Sequence, residues 1–160
     1  MTQASAAKQV AQALKARKLK LAVAEAATGG MIGDLLLRLP GASAYFPGAV
    51  VTYSRQSRID LLGVPAEVVA DHGTVSEETV KAMATGVRER FRADLGLAST
   101  GVAGPTGGSP ERPVGLVWLA LATSNGVTAF RYESKAKGRV AVQRDFTISA
   151  LKWLLEELET

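Results

Sequence analysis

Apolar residues along this chain follow two rhythms, and the switches between them mark its elements. Ala7, Val10, Ala11 and Leu14 recur at helical spacing and predict a helix over residues 4–18. The largely apolar run Leu19 to Ala24 predicts a buried strand, and residues 28–39 a helix with Leu35, Leu36 and Leu39 inward, closed by Pro40-Gly41. After a turn or short helix over 42–47, the β-branched and aromatic stretch Ala49 to Tyr53 predicts a second strand. Ser54 caps a short helix that Gly63-Val64-Pro65 breaks, residues 66–70 form a helical turn, and Asp71 to Val75 form a loop containing His72. Ser76 opens the next helix, which carries Val80, Met83, Ala84 and Val87 at helical spacing. A strand over 95–100, a Gly/Pro-rich loop over 101–113, a strand over 114–123 and its hairpin partner over 127–133 follow. The last helix, 139–158, has Val142, Phe146, Ile148, Leu151, Leu155 and Leu158 as its expected core stripe. Strands alternating with helices, plus one hairpin, indicate an α/β fold: one domain over 1–160, a mixed sheet sandwiched between helices.

Two junctions have the composition of ligand-binding loops. Glu25-Ala26-Ala27-Thr28-Gly29-Gly30 joins the first strand to a helix, where small residues admit a ligand and free helix amides favour an anion. An enzyme places a nucleophile at such a junction, yet Ala26 and Ala27 carry only methyl groups. The second is Ser99 to Ser109, whose glycines let backbone amides face a phosphate or carboxylate at the sheet edge where α/β folds bind ligands. A Gly-rich loop alone is more often a turn.

Composition narrows the chemistry. With no cysteine and one histidine, the chain excludes thiol nucleophiles, disulfides and multi-histidine metal sites. A structural or solvent-facing role is expected for His72. The net charge of +4 suits an anionic partner, but the basic residues are scattered, as on an ordinary solvated surface. No apolar run is long enough to span a bilayer and the N-terminus lacks a signal-peptide layout, so a cytoplasmic protein is expected.

Three separated segments are more specific together. They are Ala24 to Gly30; Val51-Thr52-Tyr53-Ser54 with Leu61 to Val64; and Thr100 to Pro105 with Gly107-Gly108-Ser109. His72 to Glu77 lies between the last two, and Pro113 to Trp118 follows. In order and spacing, from about Ala7 to Leu155, the chain resembles the CinA C-terminal domain family, the nicotinamide mononucleotide (NMN) deamidases. The resemblance implies a single α/β domain, found alone or behind a molybdopterin-binding-like domain, that hydrolyses the NMN carboxamide to nicotinate mononucleotide and ammonia. It implies no cofactor, a small phosphorylated ligand such as either mononucleotide, and a possible homo-oligomer of two or more copies.

The family's first segment reads Glu-Ser-Cys-Thr-Gly-Gly, with its serine as nucleophile; the matching residue here is Ala26. Its tyrosine matches Tyr53, its lysine five residues further falls on Arg58, and its phosphate-side arginine best matches Arg139. The ligand-binding positions Thr28, Gly29, Gly30, Thr100, Gly101, Gly104, Gly107 and Gly108 are retained. A serine amidase needs an attacking oxygen and a base. Ala26 removes the first, and an arginine, which stays protonated, cannot be the second. The expectation is an impaired or inactive amidase that keeps its binding pocket. There Arg58 either holds an anion, such as a nicotinate carboxylate or a phosphate, or is a surface residue. Glu25 either orients the cradle or caps the Thr28 and Gly29 amides. Two alternatives stand: an active amidase using Thr28, Ser54 or a water with help from Tyr53, and a non-enzymatic interaction module. Nucleic acid is not an expected partner, since there is no concentrated basic stripe.

Overall fold

The strands sort their side chains by size. In the computed structural model, which describes residues 1–160, the elements are α1 (Gln3–Arg17), β1 (Leu21–Glu25), α2 (Met31–Leu37), β2 (Gly48–Val51), α3 (Arg55–Leu62), α4 (Ala66–His72), α5 (Glu77–Arg90), β3 (Leu95–Gly101), β4 (Leu116–Thr123), β5 (Gly126–Glu133) and α6 (Arg139–Glu159). Leu21 and Val23, Leu97, and Leu119 and Leu121 join one apolar cluster with residues of α1, α2 and α6. Their neighbours Ala22 and Ala24, Ala98, and Ala120 and Ala122 face the other way, under α3, α4 and α5. Strand alternation therefore makes one bulky face and one shallow face. The expected α/β sandwich is observed.

The shallow face lets α5 lie almost on the sheet. A Cβ at Gly96 would meet the Ala84 carbonyl oxygen at 2.2 Å and the Arg88 nitrogen at 2.9 Å, both backbone atoms of α5. Backbone on both sides leaves no flexible atom to yield. Gly96→Ala is expected to destabilise the fold by about 3 kcal/mol, lowering Tm by roughly 10 °C in a domain of this size. Thermal unfolding followed by circular dichroism checks this; a change under about 2 °C would mean that the helix can lift at little cost.

The sheet order is β2-β1-β3-β4-β5. Strand β1 runs parallel to β2 and β3, while β3, β4 and β5 pair antiparallel. The C-terminal ends of β1, β2 and β3 therefore meet at one edge, where the chain leaves β1 and β2 toward opposite faces and a crevice opens. Ser54 and Ser76 cap α3 and α5 as expected, accepting from the Ser57 and Thr79 amides.

Several boundaries differ from the sequence reading. Helix α2 starts at Met31 rather than residue 28, because residues 27–30 form a turn and Gly30, at φ 98°, caps the helix. Strand β4 starts at Leu116 rather than Val114, after Gly115 turns the chain at φ 97°. His72 is the last residue of α4, half exposed, with Nδ1 3.6 Å from Glu78 Oε2. On α6 the buried stripe runs through Phe146, Ala150, Leu151, Leu154 and Leu158, leaving Ile148 and Leu155 half-buried at its edge. No helix is long and apolar enough to cross a membrane.

Candidate functional site

The first motif folds around its glutamate. Glu25, fully buried at the end of β1, accepts from the Thr28 hydroxyl at 2.7 Å and from the Ile32 and Gly33 amides at 3.0 Å each. Ser99 lies 3.1 Å from the Thr28 hydroxyl. With its one proton directed at Glu25, Thr28 accepts from Ser99. Gly30, the N-cap residue, has no side chain to cap α2, so the preceding strand supplies the anion for the helix's positive end. This corrects two expectations. The amides that Glu25 takes are those of Ile32 and Gly33 rather than Thr28 and Gly29, and the helix N-terminus is already occupied. The amides of Ala27, Thr28 and Gly30 donate to no backbone carbonyl.

An open cleft of about 370 Å³ lies at the edge where β1, β2 and β3 end. Ala27 lines it from the turn after β1, Tyr53, Arg55 and Arg58 from beyond β2, and Thr74 and Val75 from the loop before α5. Gly101 to Gly104, with Thr106 and Gly107, come from the loop after β3, and Arg139 from the first residue of α6. No Asp, Glu, Lys or His lines the cleft, so three guanidinium groups set its charge without a carboxylate to balance them. Anions are drawn to such a surface.

Main-chain carbonyls hold both Arg58 and Arg139. Arg58 is buried, which overturns the surface alternative. Its guanidinium donates to the carbonyls of Thr52 at 3.2 Å, Thr74 at 2.6 Å and Tyr53 at 3.4 Å. Burial lowers its pKa to about 10, which still leaves it charged at neutral pH. Arg139 donates to the Gly104 carbonyl at 2.8 Å and to the Tyr53 hydroxyl at 3.2 Å, pinning an otherwise exposed tyrosine ring. Gly104 is required there: φ is 77°, and a Cβ would meet Val114 Cγ1 at 2.4 Å.

The cleft thus gathers Tyr53, Arg58, Gly101, Gly104, Gly107 and Arg139 from the sequence-predicted residues. The others lie outside its lining. Ala26 is 3% exposed and packs in the α5-side cluster, Thr28 and Thr100 are fully buried, and Gly29, Gly30 and Gly108 sit on adjoining turns. Thr100 acts at one remove, donating to the Thr74 carbonyl at 2.7 Å. Beside Ala26 lies a loose end. The β1–β2 register pairs Glu25 with Val51, so Thr52 is the position opposite Ala26 one step past the ladder. The buried Thr52 hydroxyl has no hydrogen-bond partner.

Sequence reasoning missed Thr74, Arg55 and Arg112. Thr74 acts through a main-chain carbonyl that takes both Arg58 and Thr100, and no residue type advertises that. Arg112 reaches back from the Gly-rich loop to the Val75 carbonyl at 2.7 Å and to the His72 carbonyl. Arg55 did leave a signal: a cation in the first turn of α3 opposes the helix dipole, a local cost that often marks function.

The profile of the CinA C-terminal domain family matches residues 3–158. Over 149 residues the chain is 43% identical to the nicotinamide-nucleotide amidohydrolase PncC of Escherichia coli, covering 93% of this chain and 90% of that one. It is 52% identical over 132 residues to a CinA-like protein of a Synechococcus species, covering 82% of this chain and 32% of that one. The chain spans between 27% and 36% of the length of three such CinA-like relatives. A crystal structure of a CinA superfamily protein from Klebsiella pneumoniae superposes with a TM-score of 0.95 at 33% identity, with 99% of each chain covered. Profile, relatives and fold agree over nearly the whole length: the chain belongs to the CinA C-terminal domain family.

Proposed function

We propose that this chain is a cytoplasmic nucleotide-binding relative of the nicotinamide-nucleotide amidohydrolases that has lost most or all of its hydrolytic activity. The observation that carries this reading is the lining of the cleft: three arginines and no group able to accept a proton at neutral pH. Arg139, which bonds Gly104 and Tyr53 at the cleft, supports the phosphate role, since a guanidinium holds a phosphate through paired N–H donors. Ala26 offers no oxygen. Of the alternative nucleophiles, Thr28 is buried with its proton directed at Glu25, and Ser54 is engaged as the cap of α3.

Calorimetric titration with NMN and with nicotinate mononucleotide, run beside an ammonia-release assay, tests both halves. Binding of at least one nucleotide is expected, weakened about ten- to a hundredfold by Arg139→Ala, with no ammonia above the spontaneous rate. If neither nucleotide binds, the pocket is not a nucleotide site. Ammonia release at the rate of an active family member, abolished by Tyr53→Phe, would establish a rearranged mechanism instead.

A further inference from the structure

We infer that the cleft selects a pyridine nucleotide bearing a carboxylate over one bearing a carboxamide, and that Arg58 makes the distinction. The inference rests on the reading of the cleft as a pyridine-nucleotide site. The ligand class is then the product of amide hydrolysis rather than its substrate.

The two kinds of cation in the cleft differ in depth. Arg55 and Arg139 are exposed at the rim, whereas Arg58 lines the cleft at 4% exposure. A guanidinium carries five N–H donors. Three carbonyls take one each from Arg58, which leaves two N–H groups without a protein acceptor. No carboxylate lies within ion-pair distance of it. A buried positive charge with spare donors and no counter-ion is costly, and a ligand anion lowers that cost. The carbonyls that hold it are neutral, so they orient the charge without cancelling it.

The two nucleotides differ only at the group on the ring. A carboxylate presents acceptors alone and a full negative charge, and both suit a donor-only cation. A carboxamide presents one acceptor and an NH₂ donor, which finds guanidinium donors opposite it and brings no charge. Both nucleotides share the phosphate, so the rim arginines do not discriminate between them. Desolvation in the cleft strengthens the difference.

The test is calorimetry on the native chain with nicotinate mononucleotide, NMN and the methyl ester of nicotinate mononucleotide. The acid is expected to bind about ten- to a hundredfold tighter than the other two, the amide and ester grouping together. Arg58→Gln keeps an amide donor for the carbonyls and removes the charge, and is expected to bring all three within about threefold, with an unchanged circular dichroism spectrum. Equal affinities for acid and amide in the native chain would overturn the selectivity while leaving the nucleotide site standing. A preference for the acid that survives Arg58→Gln would overturn the assignment to Arg58. Should the variant not fold, the acid-against-amide comparison is repeated on Arg55→Gln and Arg139→Gln; a preference for the acid retained in both supports Arg58, and one abolished in either overturns the assignment. Absence of binding by all three compounds would overturn the nucleotide site itself, and this inference with it.

Discussion

Ala26→Ser combined with Arg58→Lys is expected to release ammonia from NMN, where the native chain is expected to give none above background. Loss of a serine nucleophile costs about a million-fold in rate in a well-tested protease, so a double reversal has a large range to recover. An increase on the order of a thousandfold over the native chain is the expected size. The first substitution supplies an oxygen at the strand-to-helix junction. The second supplies a group that can lose a proton. The burial that lowers the guanidinium to about 10 would act on an ammonium too, bringing it toward the range where a general base works at neutral pH. The backbone amide of Ala27, which lines the cleft and donates to no carbonyl, is available to a developing oxyanion.

The single substitutions separate the parts. Ala26→Ser alone is expected to gain much less, because Arg58 stays protonated and cannot take the new hydroxyl's proton. Thr52, whose hydroxyl is unpartnered, adds a further check, since it is the position opposite residue 26. Thr52→Val in the doubly substituted chain is expected to cost about tenfold, the worth of one hydrogen bond. A doubly substituted chain that folds and binds NMN yet releases no ammonia would show that more than these two residues separates this chain from an amidase.

The second large effect is on stability. Glu25→Ala is expected to destabilise the chain by about 4 kcal/mol, a fall in Tm of roughly 10–15 °C. One carboxylate serves two helix amides and the Thr28 hydroxyl, all in a fully buried place. Its removal strands those donors, and each costs on the order of 1–3 kcal/mol when left unmade. Gly33 makes room for it, because a Cβ there would lie 3.4 Å from Glu25 Oε2 and 3.2 Å from the Ala49 Cβ. Glu25→Gln keeps one acceptor oxygen, so a loss of about half that size is expected. Thermal and denaturant unfolding of both variants measures the order; an alanine variant within about 1 kcal/mol of the native chain would mean that water replaces the carboxylate. Ligand affinity should fall with stability here, since Ala27, the next residue but one, lines the cleft.

The two sets of variants probe different things in one short motif. Glu25 holds the junction in shape. Under the proposed function, Ala26 and Arg58 together separate binding from hydrolysis: the first offers no attacking oxygen, and the second stands at the base position as a fixed charge.

Much of the fold was legible because strand and helix periods are local. The alternation of apolar residues placed nearly every element, and the serine caps and glycine breaks placed most ends, to within a few residues. The misplaced ends, at residues 28 and 114, lie where turns with positive φ at Gly30 and Gly115 delay the element, which hydrophobicity alone does not report. On α6, Ile148 and Leu155 look like core by type, but the helix turns its Ala150 and Leu154 side inward, a choice made by what packs against it. The family and the small-residue loops were likewise legible in the linear chain. Tertiary structure decided the rest. It buried Arg58 under three carbonyls from two loops, occupied the α2 N-terminus with Glu25, and brought Arg55, Arg139 and the Thr74 carbonyl into one cleft. Those outcomes depend on segments up to 86 residues apart, such as Tyr53 and Arg139, and on main-chain atoms that every residue possesses. Residue types say which groups can donate, accept or carry charge; only the folded chain says which of them are already paired and which remain for a ligand.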